Sequence, residues 1–178
     1  MFPISHFNIT RTPFYYYDKT LLSNTLAKLI RLAGERNYHI HYAVKANANP
    51  EILKLIAASG IGADCVSGGE IKAALEAGFP AKKIVFAGVG KADWEIEYAL
   101  EKKIFCFNVE SAEELSVIEE LAKKKENIAS IALRINPNID AHTHEYITTG
   151  LSENKFGIPI EMLDSIFSQI QRSPHVQL

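Results

Sequence analysis

The chain has 178 residues, of which 47% are hydrophobic and 22% charged, with a formal net charge of −2. Such a polypeptide is long enough to bury one good core, and its charge gives no electrostatic case for nucleic acid or an anionic membrane as a partner. No run approaches the ~18 uninterrupted apolar residues of a membrane span, and Met1-Phe2-Pro3-Ile4-Ser5-His6 lacks the basic stretch and apolar run of a secretory leader.

The first patterned segment is Phe14-Tyr15-Tyr16-Tyr17-Asp18, an expected strand. Thr20 to Arg36 then reads as an amphipathic helix, with Leu22, Leu26, Leu29, Ile30 and Ala33 on one face. Tyr38 to Val44 is a strand with Tyr38, Ile40, Tyr42 and Val44 at period two. Asn47-Ala48-Asn49-Pro50 breaks it, and Pro50 opens a short helix that Gly60 ends. Ala63–Val66 is the next strand. Ser67-Gly68-Gly69-Glu70 has capping-box spacing for the helix after it. The alternation continues with strand Ile84–Ala87, helix Asp93–Lys102 and strand Ile104–Phe107. Ser111-Ala112-Glu113-Glu114 starts a helix reaching Lys124, and Ile128–Ile135 is a fifth strand of this series. A loop of roughly twenty residues precedes a helix from Ile160 to Arg172, and Val176-Gln177-Leu178 begins a sixth strand.

These strands recur roughly every 21–24 residues, which marks a (β/α) barrel or an open doubly wound sheet. Their continuous apolar character suits a parallel sheet covered on both faces. A complete barrel needs eight units and usually ~250 residues. Five units and part of a sixth are legible, so the chain is expected to be the front part of a longer protein.

Lys45 is the residue most suggestive of chemistry. It stands where an apolar strand runs into a turn, near a strand's carboxyl end, where α/β folds build their sites. Partial desolvation there yields a neutral amine able to attack an aldehyde; the alternative is a lysine snorkelling into water. Asp64 is placed at the start of the next strand or in the loop before it, where a turn role after Gly62 is available. Arg134 sits inside Ile131-Ala132-Leu133-Arg134-Ile135, and a charge there needs a partner, either inside a barrel or on an outward helix. Asp140, His142, His144 and Glu145 lack the spacing of a metalloprotease helix, so no metal is expected. Gly68-Gly69 is weak evidence for a phosphate cradle. Lys123-Lys124-Lys125 reads as a solvated helix end. Cys65 and Cys106 form neither a disulfide framework nor a zinc spacing, and buried thiols in a cytoplasmic, reducing compartment are the simplest reading.

Several segments together resemble the pyridoxal-phosphate decarboxylases built on an alanine-racemase-like barrel. They are Tyr42-Ala43-Val44-Lys45-Ala46-Asn47, Asp64-Cys65-Val66-Ser67-Gly68-Gly69-Glu70, Val85-Phe86-Ala87-Gly88-Val89-Gly90-Lys91, Phe107-Asn108-Val109-Glu110-Ser111 and Leu133-Arg134-Ile135-Asn136-Pro137. His142 to Gly150 and Lys155-Phe156-Gly157 complete the series. The resemblance implies pyridoxal phosphate bound covalently to Lys45, with Asp64 close to the cofactor and Arg134 near its pyridine nitrogen. It implies residues 20–178 as a partial barrel and residues 1–19 as a strand of a second β domain. The His142–Gly150 stretch is similar to that of the family's diaminopimelate-cleaving members. The expected reaction is therefore decarboxylation of meso-diaminopimelate to L-lysine and carbon dioxide, by a cytoplasmic homodimer when full length. Carboxynorspermidine or another basic amino acid as substrate, and a cofactor-binding barrel without turnover, stand as alternatives. Taken alone, the 178 residues are expected to be inactive.

Overall fold

The computed structural model describes residues 3–137 and 156–178. The expected stretch from Asp140 to Gly150, with its histidines, lies outside the described residues.

Helix α1 (Ile4–Phe7) is short, and α2 (Lys19–Gly34) follows, its first turn capped by Asp18 accepting from the Leu21 N–H. Strand β1 (His41–Ala43) and helix α3 (Pro50–Ala58) form the first unit, then β2 (Gly62–Cys65) with α4 (Gly68–Glu76), and β3 (Ile84–Phe86) with α5 (Asp93–Lys102). β4 (Cys106–Val109), α6 (Ala112–Lys124) and β5 (Ala129–Leu133) come next. Two short strands, β6 (Ile135–Asn136) and β7 (Ile158–Pro159), pair with each other before α7 (Leu163–Arg172) and β8 (Val176–Gln177).

The main sheet runs β1-β2-β3-β4-β5-β8, every neighbour parallel. Each new strand is added on the same side of the last. A doubly wound sheet reverses its strand order at a switch point; this one does not, which selects the barrel over the open sheet. Strand sides and helix faces share one core: Val44, Cys65, Phe86, Phe107 and Val109 from the strand series meet Ile71, Ile96, Leu115 and Ile118 from the helices. All are nearly inaccessible to solvent. Parallel strands covered in this way read as the continuous apolar runs seen in the sequence.

Residues 14–18 differ from expectation. They join no sheet among the described residues. The alternation of an extended segment survives: Phe14 and Tyr16 reach the Phe7 ring, at 5.3 and 5.1 Å, while Tyr15 and Tyr17 stack on each other at 6.4 Å. A strand is stable only with a ladder partner, and no described strand runs beside this one. β1 is also shorter than predicted, because Val44–Ala46 closes into a 3-10 turn. The fifth strand stops at Leu133, and Arg134 stands at the break between β5 and β6.

Candidate active site

The carboxyl ends of the parallel strands form one mouth of the sheet, and the sequence-predicted residues gather there. Lys45 lies in the 3-10 turn directly after β1. The turn is fixed locally: the Tyr42 hydroxyl donates to the Asn47 carbonyl at 3.1 Å. Asn47 Oδ1 accepts from the Asn49 N–H, and Asn49 caps α3 by accepting from Glu51 and Ile52. The two asparagines and the proline of the strand-breaking stretch thus hold the backbone that carries the amine. The side chain itself is exposed, not partly desolvated as expected. Among the described residues it makes no hydrogen bond or ion pair.

Asp64 pairs in register with Ala43, two residues before Lys45. It is the third residue of β2, well inside the strand, because the ladder already begins at Gly62. Its Oδ1 is buried with no hydrogen-bond partner among the described residues. Burial pushes the Asp64 carboxyl above the usual carboxylate range, while Lys45 and then His41 pull it back down. Burial likewise holds His41 below the ordinary imidazole value, against the pull of Asp64. A buried acceptor left unpaired is costly, and one beside an unpaired amine marks a place built for something else.

Arg134 follows β5 at the same mouth. Its Nη1 donates to both carboxylate oxygens of Glu110, at 2.9 and 3.0 Å. The guanidinium also lies 5.5 Å from the Phe156 ring centroid. The partner is not a helix acid. Glu110 is the residue between β4 and the α6 cap, and it is 6% exposed.

Sequence reasoning passed over the polar group beside it. Lys91, whose side chain is 1% exposed, donates to Glu114 Oε1 at 2.6 Å and to the carbonyls of Gly88 and Asn108. Glu114 Oε2 in turn accepts from the Glu110 N–H at 2.9 Å. The helix caps are thus a variant of the expected box. Ser67 and Ser111 each accept from the glutamate three residues on, but those glutamates reach back to Val66 and Glu110, one residue before the serine. Gly68 is no phosphate cradle here, since its N–H donates to Glu95 Oε1 at 2.6 Å. Burial pushes the Cys65 thiol up to about 12 and raises Cys106 as well; both are free and inert.

At the opposite end of β1 lies a cavity of about 440 Å³ lined by Ile30, Tyr38, Ile40, Ile61, Lys83 and Phe105. It flanks the amino ends of the strands, away from Lys45, and of the titratable groups above only His41 reaches its wall.

The donor set fits one kind of cofactor. Lys45 offers an unpaired amine for an aldehyde. Arg134 offers fixed N–H donors for a charged or ring acceptor. Asp64 offers an orphaned carboxylate oxygen that a bound polar group would satisfy.

Residues 23–178 match the family model described as the pyridoxal-binding domain of pyridoxal-dependent decarboxylases. Diaminopimelate decarboxylase of Bacteroides thetaiotaomicron is 60% identical over 167 residues, covering 93% of this chain and 43% of that protein. The Helicobacter pylori enzyme of the same name is 51% identical over 152 residues, covering 85% of this chain and 38% of that protein. Among solved structures, diaminopimelate decarboxylase from H. pylori complexed with L-lysine superimposes with a TM-score of 0.83 at 44% identity, over 98% of this chain and 44% of that one. The M. jannaschii enzyme with L-lysine gives 0.87 at 37% identity, over 98% and 42%. The chain therefore spans well under half the length of the relatives it matches.

Proposed function

This chain belongs to the pyridoxal-dependent decarboxylases through its pyridoxal-binding domain, and from that premise we propose that the protein removes carbon dioxide from meso-diaminopimelate to give L-lysine. The observation that carries this reading is the placement of Lys45 in the turn after β1, two residues beyond the Ala43 that pairs with Asp64, in a chain 60% identical to a diaminopimelate decarboxylase. When bound, pyridoxal phosphate supplies an electron sink for the charge left by the departing carboxylate. Overall, one C–C bond breaks, carbon dioxide leaves, and a proton takes its place on the same carbon. Lys45 holds the cofactor through its aldehyde. Asp64, with its carboxyl raised by burial, keeps a proton-binding oxygen beside that amine. Arg134 presents N–H donors from the far side of the mouth.

The enzyme is proposed to work as a homodimer in the cytoplasm. The two free, buried thiols support a reducing compartment, and no described helix is long and apolar enough to cross a membrane. The dimer rests on the family resemblance. The test compares carbon dioxide release by the whole protein from meso-diaminopimelate, carboxynorspermidine, ornithine and arginine. Fastest turnover of meso-diaminopimelate is expected. Faster turnover of any of the others would overturn the substrate while leaving the reaction class.

A further inference from the structure

Arg134 has a half-exposed side chain, at 50%. An arginine that open ordinarily samples many rotamers, and ordering it is unfavourable. Here its surroundings over-determine it. Glu110 grips a single nitrogen, Nη1, with both oxygens. Among the described residues the Nη2 and Nε donors have no acceptor.

Glu110 is itself pinned. Its side chain is 3% exposed, and Oε1 also accepts from the Gly88 N–H at 3.2 Å. Its backbone N–H is held by Glu114, whose other oxygen is paired with the buried Lys91. Apart from Arg134 itself, Glu110 is therefore held at its carboxylate by the Gly88 N–H after β3 and at its backbone by Glu114 of α6.

A second support comes from the far side. Phe156 lies against the guanidinium. The Ile158 N–H donates to the Arg134 carbonyl at 2.7 Å. Gly157 between them has φ +101°, and a Cβ there would come within 2.9 Å of that carbonyl and 3.3 Å of Arg134 Cγ. Only glycine passes so close to this arginine.

A surface ion pair needs no such mount. A buried carboxylate is costly, and its retention calls for a purpose. We propose that Glu110 is a positioning residue for Arg134, with Phe156 and Gly157 as the opposing half of the mount. Together they aim the remaining guanidinium donors, without an acceptor among the described residues, at the bound cofactor or substrate before it arrives. This rests on the reading that Arg134 reaches that ligand.

The test is a double-mutant cycle in the whole protein loaded with pyridoxal phosphate. It reads kcat/KM and the pH at which the cofactor's absorbance changes. Glu110→Gln should lower kcat/KM about tenfold to a hundredfold, as misplaced groups do. It should also move the absorbance midpoint in the same direction as Arg134→Ala. Added to Arg134→Ala, it should cost no more than about twofold further. Phe156 is 59% exposed, so Phe156→Leu should fold normally. Its smaller loss should likewise vanish in the Arg134→Ala background, and it decides the matter if Glu110→Gln does not fold. A full additional loss on top of Arg134→Ala, with the absorbance midpoint unmoved by the Glu110 change, would overturn the proposal. If Arg134→Ala alone changes neither readout, the assignment of Arg134 fails, and the mount has no function to serve.

Discussion

The β1–β2 and β3–β5 ends of the sheet carry similar residues under opposite conditions. At β3–β5, Lys91, Glu114 and Glu110 are tied to one another and to backbone groups, and Arg134 is anchored to them through Nη1 alone. At β1–β2, Lys45 stands exposed and Asp64 keeps a buried oxygen without a partner. The same chemical pair, a lysine and a carboxylate, is structural in one place and unspent in the other. Satisfaction of hydrogen bonds separates the two roles better than residue type does. A saturated network fixes geometry. An unsatisfied one is available to a ligand, and such sites sacrifice stability for function.

The contrast breaks most visibly at the lysines. In the whole protein, Lys45→Ala should lower decarboxylation by about 10³ or more, in the range that loss of a nucleophile costs. Its unfolding free energy should move by less than about 0.5 kcal/mol, because the side chain is exposed. Chemical denaturation alongside a carbon dioxide assay checks both halves. Equal activity, or a large stability loss, would erase the distinction.

Lys91→Met should behave the other way round. It strands Glu114, whose side chain is 12% exposed, without its cation. Breaking a buried pair from one side costs about 3–5 kcal/mol, which a shift of the denaturant midpoint would report.

The smallest effect concerns Asp64. Its raised carboxyl means that the folded chain resists ionisation there. That contribution is favourable below the ordinary carboxylate value of about 4 and is lost as pH rises through the folded value. Asp64→Asn should therefore raise the melting temperature at pH 7. The gain should shrink as the pH is lowered towards about 4. A variant less stable at pH 7, or a gain independent of pH, would place Asp64 among the satisfied groups.

Much of this arrangement is legible in the sequence because period and punctuation are local. Asp93–Lys102 appears where expected, and the strand series begins at residues 41, 62, 84, 106 and 129, about 22 apart. Lys45 is legible because the Asn-rich break after an apolar strand fixes where the strand must end. Strand ends elsewhere are set by neighbours, not by the segment itself. Asp64 falls inside β2 because Gly62 already pairs with His41. Arg134 falls at a break because its carbonyl is claimed by Ile158, more than twenty positions away. Glu110 is invisible as a partner for the same reason. Before a serine and a helical pattern it reads as part of a cap, and its contact to Arg134 exists only once β4 and β5 lie side by side. Phe14–Asp18 has a strand's alternation, but a ladder partner is not a property of the segment.

The most direct measurement is borohydride reduction of the whole protein with pyridoxal phosphate, followed by peptide mass spectrometry. The unpaired amine after β1 should carry the reduced cofactor, so the label should fall on Lys45 and disappear in Lys45→Ala. Lys91, enclosed by Glu114 and two carbonyls, should carry none. Label on Lys91 or another lysine, or no label at saturating cofactor, would contradict the division between an open end and a saturated one.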